Sequence, residues 1–136
     1  MEEIILAYGH ENISARHRTT MQVTKDKEIT RRADCIIGVR ANKSAADLSQ
    51  DLRKHLLEGG EVEVELVTFA GSFKFKAMGH RGLELTNQVD AVIRKSTYVD
   101  DRTILVKAEA SARDIPRHII KSLKRRETIL RLIIAF

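Results

Sequence analysis

Two histidines, an asparagine, paired threonines and the only cysteine crowd together between Gly9 and Cys35, in the stretch GHENISARHRTTMQVTKDKEITRRADC. An imidazole titrates near neutrality and can move a proton. Amides and hydroxyls supply hydrogen bonds, and a thiolate is a nucleophile. Joined by Arg94 or Lys95 from a later strand end, these residues make a donor-rich set suited to a phosphate or carboxylate. On this reading His10 and His17 are the candidate acid and base, Asn12, Thr19, Thr20, Arg94 and Lys95 the ligand-binding residues, and Cys35 the possible nucleophile. The plainer reading is that imidazoles and hydroxyls bond to the backbone and that a lone cysteine is a small, inert apolar residue.

No complete catalytic or cofactor signature accompanies these residues, so neither a reaction nor a cofactor follows, and an enzymatic role stays open. His10, His17 and Cys35 are zinc-ligand types, but their spacing matches no compact metal motif, and no metal is assigned.

The elements that must position this stretch follow from hydrophobic periodicity. Glu2 to Gly9 alternates as a strand, apolar on both faces, and Gly9 ends it, placing His10, Glu11 and Asn12 in a loop at the sheet edge. His17 to Thr24 alternates again, with His17, Thr19, Met21 and Val23 directed inward. Asp34 to Ala41 is a third strand, in which Cys35, Ile37 and Val39 share the core face. Ser44 and Asp47 open a helix with Leu48, Leu52 and Leu56 on one face, which Gly59-Gly60 stops. Residues 61 to 78 form a hairpin; a two-residue turn at Ala70-Gly71 pairs Leu66 with Phe75, Val64 with Ala77 and Glu65 with Lys76. Strands follow at Asp90 to Ser96 and Thr103 to Ala108. A second helix, capped by Asp114, ends in Lys124-Arg125-Arg126, and Thr128 to Phe136 is a buried strand.

No internal repeat is read along the chain. About eight strands and two helices predict a mainly β, α+β fold: a largely antiparallel β-sandwich or partly closed barrel with two flanking helices, one domain over residues 1–136. Composition agrees with a globular chain, 43% hydrophobic and 32% charged, with one proline. A lone cysteine, no secretory signal and no membrane-length apolar run predict a soluble cytoplasmic protein.

The net charge of +5 lies in the last segment. Arg117, Lys121, Lys124, Arg125 and Arg126 could contact nucleic-acid phosphates, although six aromatics leave little for base stacking. The alternative is a solvated helix face. A purely structural subunit is the third possibility.

With Gly9-His10-x-Asn12-Ile13, His17-x-Thr19-Thr20, Asp34-Cys35-Ile36-Ile37-Gly38-Val39 and Arg94-Lys95-Ser96 in this order, the chain resembles the small archaeal proteins grouped as domain of unknown function 371. The resemblance covers essentially the whole chain. It implies a cytoplasmic archaeal protein with a mostly β, sandwich-like fold, and it implies no activity.

Overall fold

The structure, a computed structural model, describes all residues from Met1 to Phe136. Its elements are β1 (Glu2–Tyr8), β2 (Thr20–Thr24), β3 (Ile36–Gly38), α1 (Gln50–Leu57), β4 (Glu61–Thr68), β5 (Gly71–Met78), β6 (Asp90–Arg94), β7 (Thr103–Leu105), α2 (Arg117–Ser122) and β8 (Ile129–Ala135). Single 3-10 turns, Ala45–Asp47 and Ala112–Asp114, precede the two helices. The strands form two four-stranded sheets, in the orders β1-β8-β4-β5 and β3-β2-β6-β7. The first is antiparallel throughout; in the second, β2–β3 and β6–β7 run parallel around an antiparallel β2–β6 centre. The sheets stay open rather than closing into a barrel, and the mainly β, sandwich-like expectation holds.

Alternating apolar residues of both sheets meet between them. Ile5, Val64, Leu66, Leu130 and Leu132 come from the first sheet and Met21, Val23, Ile93 and Ile104 from the second, with Leu52, Leu56 and Ile119 from the helices. Each such side chain stabilises the fold by roughly 1.5–3 kcal/mol relative to exposure. The last strand lies centrally, between β1 and β4. The backbones of Met1 and Phe136 hydrogen-bond to each other at 2.7 and 2.9 Å.

Several local expectations are corrected. The first helix does not begin at Ser44, because Asp47 accepts both the amide and the hydroxyl of Ser44 and closes only a 3-10 turn. The chain then extends at Leu48, and Ser49 starts α1 by accepting the Leu52 amide at 3.2 Å. Likewise α2 stops at Ser122, short of the basic run. The β4–β5 hairpin turns at Phe69-Ala70, pairing Leu66 with Phe73, Val64 with Phe75 and Glu63 with Lys76. That is a slip of two residues, which leaves every side chain on its expected face. β2 is buried on both faces, so Thr20, Gln22 and Thr24 are covered as well as Met21 and Val23.

The largest correction is that the chain is an internal duplicate. Exchanging β1 for β5, β2 for β6, β3 for β7 and β4 for β8 reverses each sheet order onto itself. Finer details repeat too. Ala15 and Leu85 share a positive φ, as do Arg40 and Lys107. Isolated bridges join Tyr8 to Val39 and Met78 to Val106. Lys25 pairs with Asp47 at 2.6 Å and Lys95 with Asp114 at 2.9 Å. The halves are intertwined: Gly9 packs on the backbone carbonyls of Leu123 and Arg125 beyond α2, and Gly79 on that of Leu56 in α1. A shorter loop after β6 than after β2 removes any fixed period from the sequence.

Candidate functional site

The duplication supplies an internal control on each residue. A side chain with the same task in both halves serves the fold, whereas one whose counterpart is chemically different is not demanded by it.

His10 is buried, not set on an exposed edge loop. Its Nδ1 accepts the Asn12 amide at 3.0 Å, so the proton sits on Nε2, which donates to Glu28 Oε1 at 2.8 Å. With both nitrogens engaged, neither is free to move a substrate proton. His80, its counterpart, caps its own turn by accepting the Gly82 amide at 2.8 Å. Asn12 donates to the Ile29 carbonyl. Beside His10, Arg126 grips Glu11 and Glu28 through two bidentate pairs at 2.7 to 2.9 Å. The guanidinium holds both carboxyls down at about 2. These groups edge a cleft of about 340 Å³ that also includes Lys27, Arg40 and Glu127. Glu28, Arg126 and Glu127 are paired within the protein, whereas Arg40 lies over the Tyr8 ring and Lys27 has no ion pair.

His17 repeats the device, accepting the Thr19 amide at Nδ1 at 3.2 Å, while the Thr19 hydroxyl lies 3.4 Å away. Its counterpart Asn87 accepts the Val89 amide at 2.9 Å. Thr20 is buried opposite Arg94 in the ladder. The Arg94 guanidinium turns elsewhere, to Thr103, Asp100 and the face of Tyr98. Lys95 is taken by Asp114, as Lys25 is by Asp47. Cys35 is half-buried just before β3, outside the core, and its thiol donates to Gln22 Oε1 at 3.4 Å. Burial, then the Asp34 charge, pushes the thiol up, away from the nucleophilic thiolate. The structure thus separates the residues expected in one pocket: His10 belongs to the Glu28–Arg126 cleft, Asn12 to the contact with Ile29, His17 and Thr19 to the entry of β2, and Arg94 to the turn before β7. His10, His17 and Cys35 each have a different partner and do not converge on one point.

The basic C-terminal residues are mostly occupied. Lys124 donates to the Ile13 carbonyl, Arg125 pairs with Glu127, and Arg126 with Glu11 and Glu28. Arg117 donates to the carbonyls of Ser14, Ala15, Ala112, Arg113 and Ile115. In the other half, Arg53 does the same to Ala45 and Leu85. Lys121 alone of the five stays without such a partner.

Sequence reasoning missed a different group. Arg16, Arg18, Arg113 and Arg117 line one concavity of about 310 Å³ with no other residue type in its wall. The ion-paired arginines are Arg94, Arg102, Arg125 and Arg126, and none of these four is among them. The neighbouring carboxylate, Asp114, is turned to Lys95 and Ser111. Burial, together with the Arg16 charge, lowers the pKa of Arg117. Two segments distant in sequence meet here because the Arg113 amide donates to the His17 carbonyl at 3.1 Å, just as the Ala46 amide donates to Asn87. At the equivalent positions of the other half stand Thr86, Gln88 and Ala46, all uncharged. An arginine clamp of this kind recurs in the other half from a different position, Arg53, since the counterpart of Arg117 is Gln50, and the fold does not need the charges of Arg16, Arg18 and Arg113.

No helix is long and apolar enough to cross a membrane. The sequence profile of the family described as "Domain of unknown function (DUF371)" matches residues 5–136. An uncharacterized protein of Methanocaldococcus jannaschii is 40% identical over 135 residues, covering 98% of this chain and 100% of that protein. By the extent of both matches, this chain belongs to the family named domain of unknown function 371.

Proposed function

We propose that the protein binds a small ligand bearing a phosphate or carboxylate, and that Arg16, Arg18 and Arg113 hold it above Arg117. The observation that carries this reading is the one-sided charge: the equivalent surface, which the two halves also build together, carries Thr86, Gln88 and Ala46. Like charges gathered without counter-charge oppose folding, and a bound anion relieves that repulsion. Planar guanidinium forks match the oxygens of phosphate and carboxylate in bidentate fashion. The concavity lies at the lower end of small-molecule sites, which span roughly 300–1,000 Å³. Because no base–nucleophile pair lines it, the reading is of binding rather than catalysis. A cytoplasmic setting, with its phosphorylated metabolites, fits both the ligand class and a reduced Cys35.

The test replaces each arginine by the residue of the other half, Arg16→Thr, Arg18→Gln and Arg113→Ala in one protein. Calorimetric titration with inorganic phosphate, pyrophosphate and citrate is expected to show binding to the wild type and none to the triple variant. In low salt the variant should melt at the same temperature as the wild type or higher. Equal binding by both proteins, or no binding of any of the three anions, would remove the proposal.

A further inference from the structure

The outward face of the β1-β8-β4-β5 sheet is finished differently in its two halves. The ladder sets Ile4 opposite Ile133, Leu6 opposite Arg131 and Tyr8 opposite Ile129 in one half. Their equivalents in the other are Lys74 opposite Glu65, Lys76 opposite Glu63 and Met78 opposite Glu61. Four apolar positions, Ile4, Leu6, Ile129 and Ile133, thus have charged counterparts. The fold is content with charge there, so it does not require the apolar residues. Ile4 and Ile129 are open to solvent at 41% and 51%, Leu6 and Ile133 are half-buried, and Phe69 at the adjoining turn reaches 76%. Leu6, Val67, Phe69 and Ile129, with Thr68 and Arg131, form a groove of about 490 Å³.

Charge on this face points to what covers it. Arg131 and Glu65 are diagonal neighbours, since Arg131 is opposite Val67 and Glu65 opposite Ile133. Neither is ion-paired, whereas Glu61 and Glu63 reach Lys76 and Lys74 at 3.6 and 3.9 Å. Glu2, Glu61, Glu63 and Glu65 stand against Lys74, Lys76 and Arg131, so the face is close to neutral although the chain carries +5. Self-association through this face meets little net repulsion. Arg131 inside the apolar strip and Glu65 at its edge are unpaired charges of opposite sign, which a twofold operation can set each against the other in the second copy, the self-complementarity a symmetric dimer needs.

We infer that this sheet face is a homodimer interface, with the strip of Ile4, Leu6, Phe69, Ile129 and Ile133 packed on its equivalent in a second copy. Analytical ultracentrifugation should find the wild type at twice the 15.4 kDa chain mass. The Ile4→Lys/Ile129→Glu variant, which carries the residue types of the other half, should be monomeric with an unchanged circular dichroism spectrum. Arg131→Glu should weaken the dimer at least tenfold, and adding Glu65→Arg should restore it. A monomeric wild type would overturn the inference and leave the strip to a different partner or to none. A dimer that persists in Ile4→Lys/Ile129→Glu, or a reversed charge pair that fails to restore association, would overturn it as well.

Discussion

His10 and His80 perform one task in the two halves of the chain: the Nδ1 of each accepts the amide two residues ahead, Asn12 at 3.0 Å and Gly82 at 2.8 Å. A histidine that looks catalytic by its surroundings in the sequence is thus a turn-forming residue. The same comparison turns attention from the imidazoles to three arginines whose counterparts are uncharged.

The turn role makes the histidines unequal to substitution. His17→Asn should leave stability within about 0.5 kcal/mol of wild type, since Asn87 does this work in the other half, whereas His17→Ala loses a hydrogen bond and about 1 kcal/mol. His10→Ala should cost more, about 2–3 kcal/mol, because it also opens a buried site beside Glu28. Urea denaturation measures all three. Anion binding at the arginine concavity should persist in His17→Asn.

Gly9 and Gly79 seat their loops directly on the helix end of the opposite half. A methyl group at Gly9 would collide with the Leu123 and Arg125 carbonyls, and one at Gly79 with the Leu56 backbone. Neither neighbour is a flexible side chain that can move aside. Gly9→Ala and Gly79→Ala should each lower stability by at least about 1–3 kcal/mol, the usual range for overpacking, as read by thermal or urea denaturation.

Acid should loosen the Arg126 cluster. Glu11 and Glu28 sit at about 2 in the folded chain against an ordinary 4.5, mainly because each accepts hydrogen bonds from Arg126. A carboxyl depressed by folding contributes stability that is present above its unfolded pKa and lost as pH falls through its folded one. The melting temperature should therefore fall between pH 4.5 and about 2. Arg126→Gln should flatten that slope, and an unchanged slope would show that these pairs are not its source.

Cys35 should react slowly. Burial and the Asp34 charge raise its pKa above the ordinary 9.0, so little thiolate exists at pH 7. Iodoacetamide should modify it more slowly than a free cysteine, with the rate still rising beyond pH 9. Cys35→Ala should leave anion binding unchanged.

Much of the fold was legible in the sequence. Apolar runs marked all the strands and leucine and isoleucine stripes both helices, but parity directed His17 and Thr19 inward, whereas β2 begins only at Thr20 and leaves His17 half-buried and Thr19 exposed. Where expectation and structure part, the reason is physical. Strand parity cannot distinguish registers two residues apart, so the hairpin slipped from Leu66–Phe75 to Leu66–Phe73 without moving a side chain across the sheet. Ser44 and Asp47 are a genuine capping pair, but they close a 3-10 turn that propagates no further. The repeat hid because most of its positions keep only a role: His17 answers to Asn87, Cys35 to Arg102, Gly38 to Leu105. The signal that could have exposed it was Ser44-Ala45-Ala46-Asp47 set against Ser111-Ala112-Arg113-Asp114, together with Gly9-His10 against Gly79-His80. That alignment would also have picked out Arg113 as the odd residue.

The paired backbones of Met1 and Phe136 lie where the duplicate half has the Phe69-Ala70 turn. The chain is therefore close to a ring with one link missing, and the place of that missing link is arbitrary to the packing. Joining Phe136 to Met1 through a two-residue linker and opening the chain between Phe69 and Ala70 should give a circular permutant with both sheet orders intact. In it the intertwined halves exchange roles, the first becoming the second. Such a ring is one geometry drawn twice, and the two equivalent surfaces that its halves build together have been free to differ: one carries the arginine concavity, the other Thr86, Gln88 and Ala46.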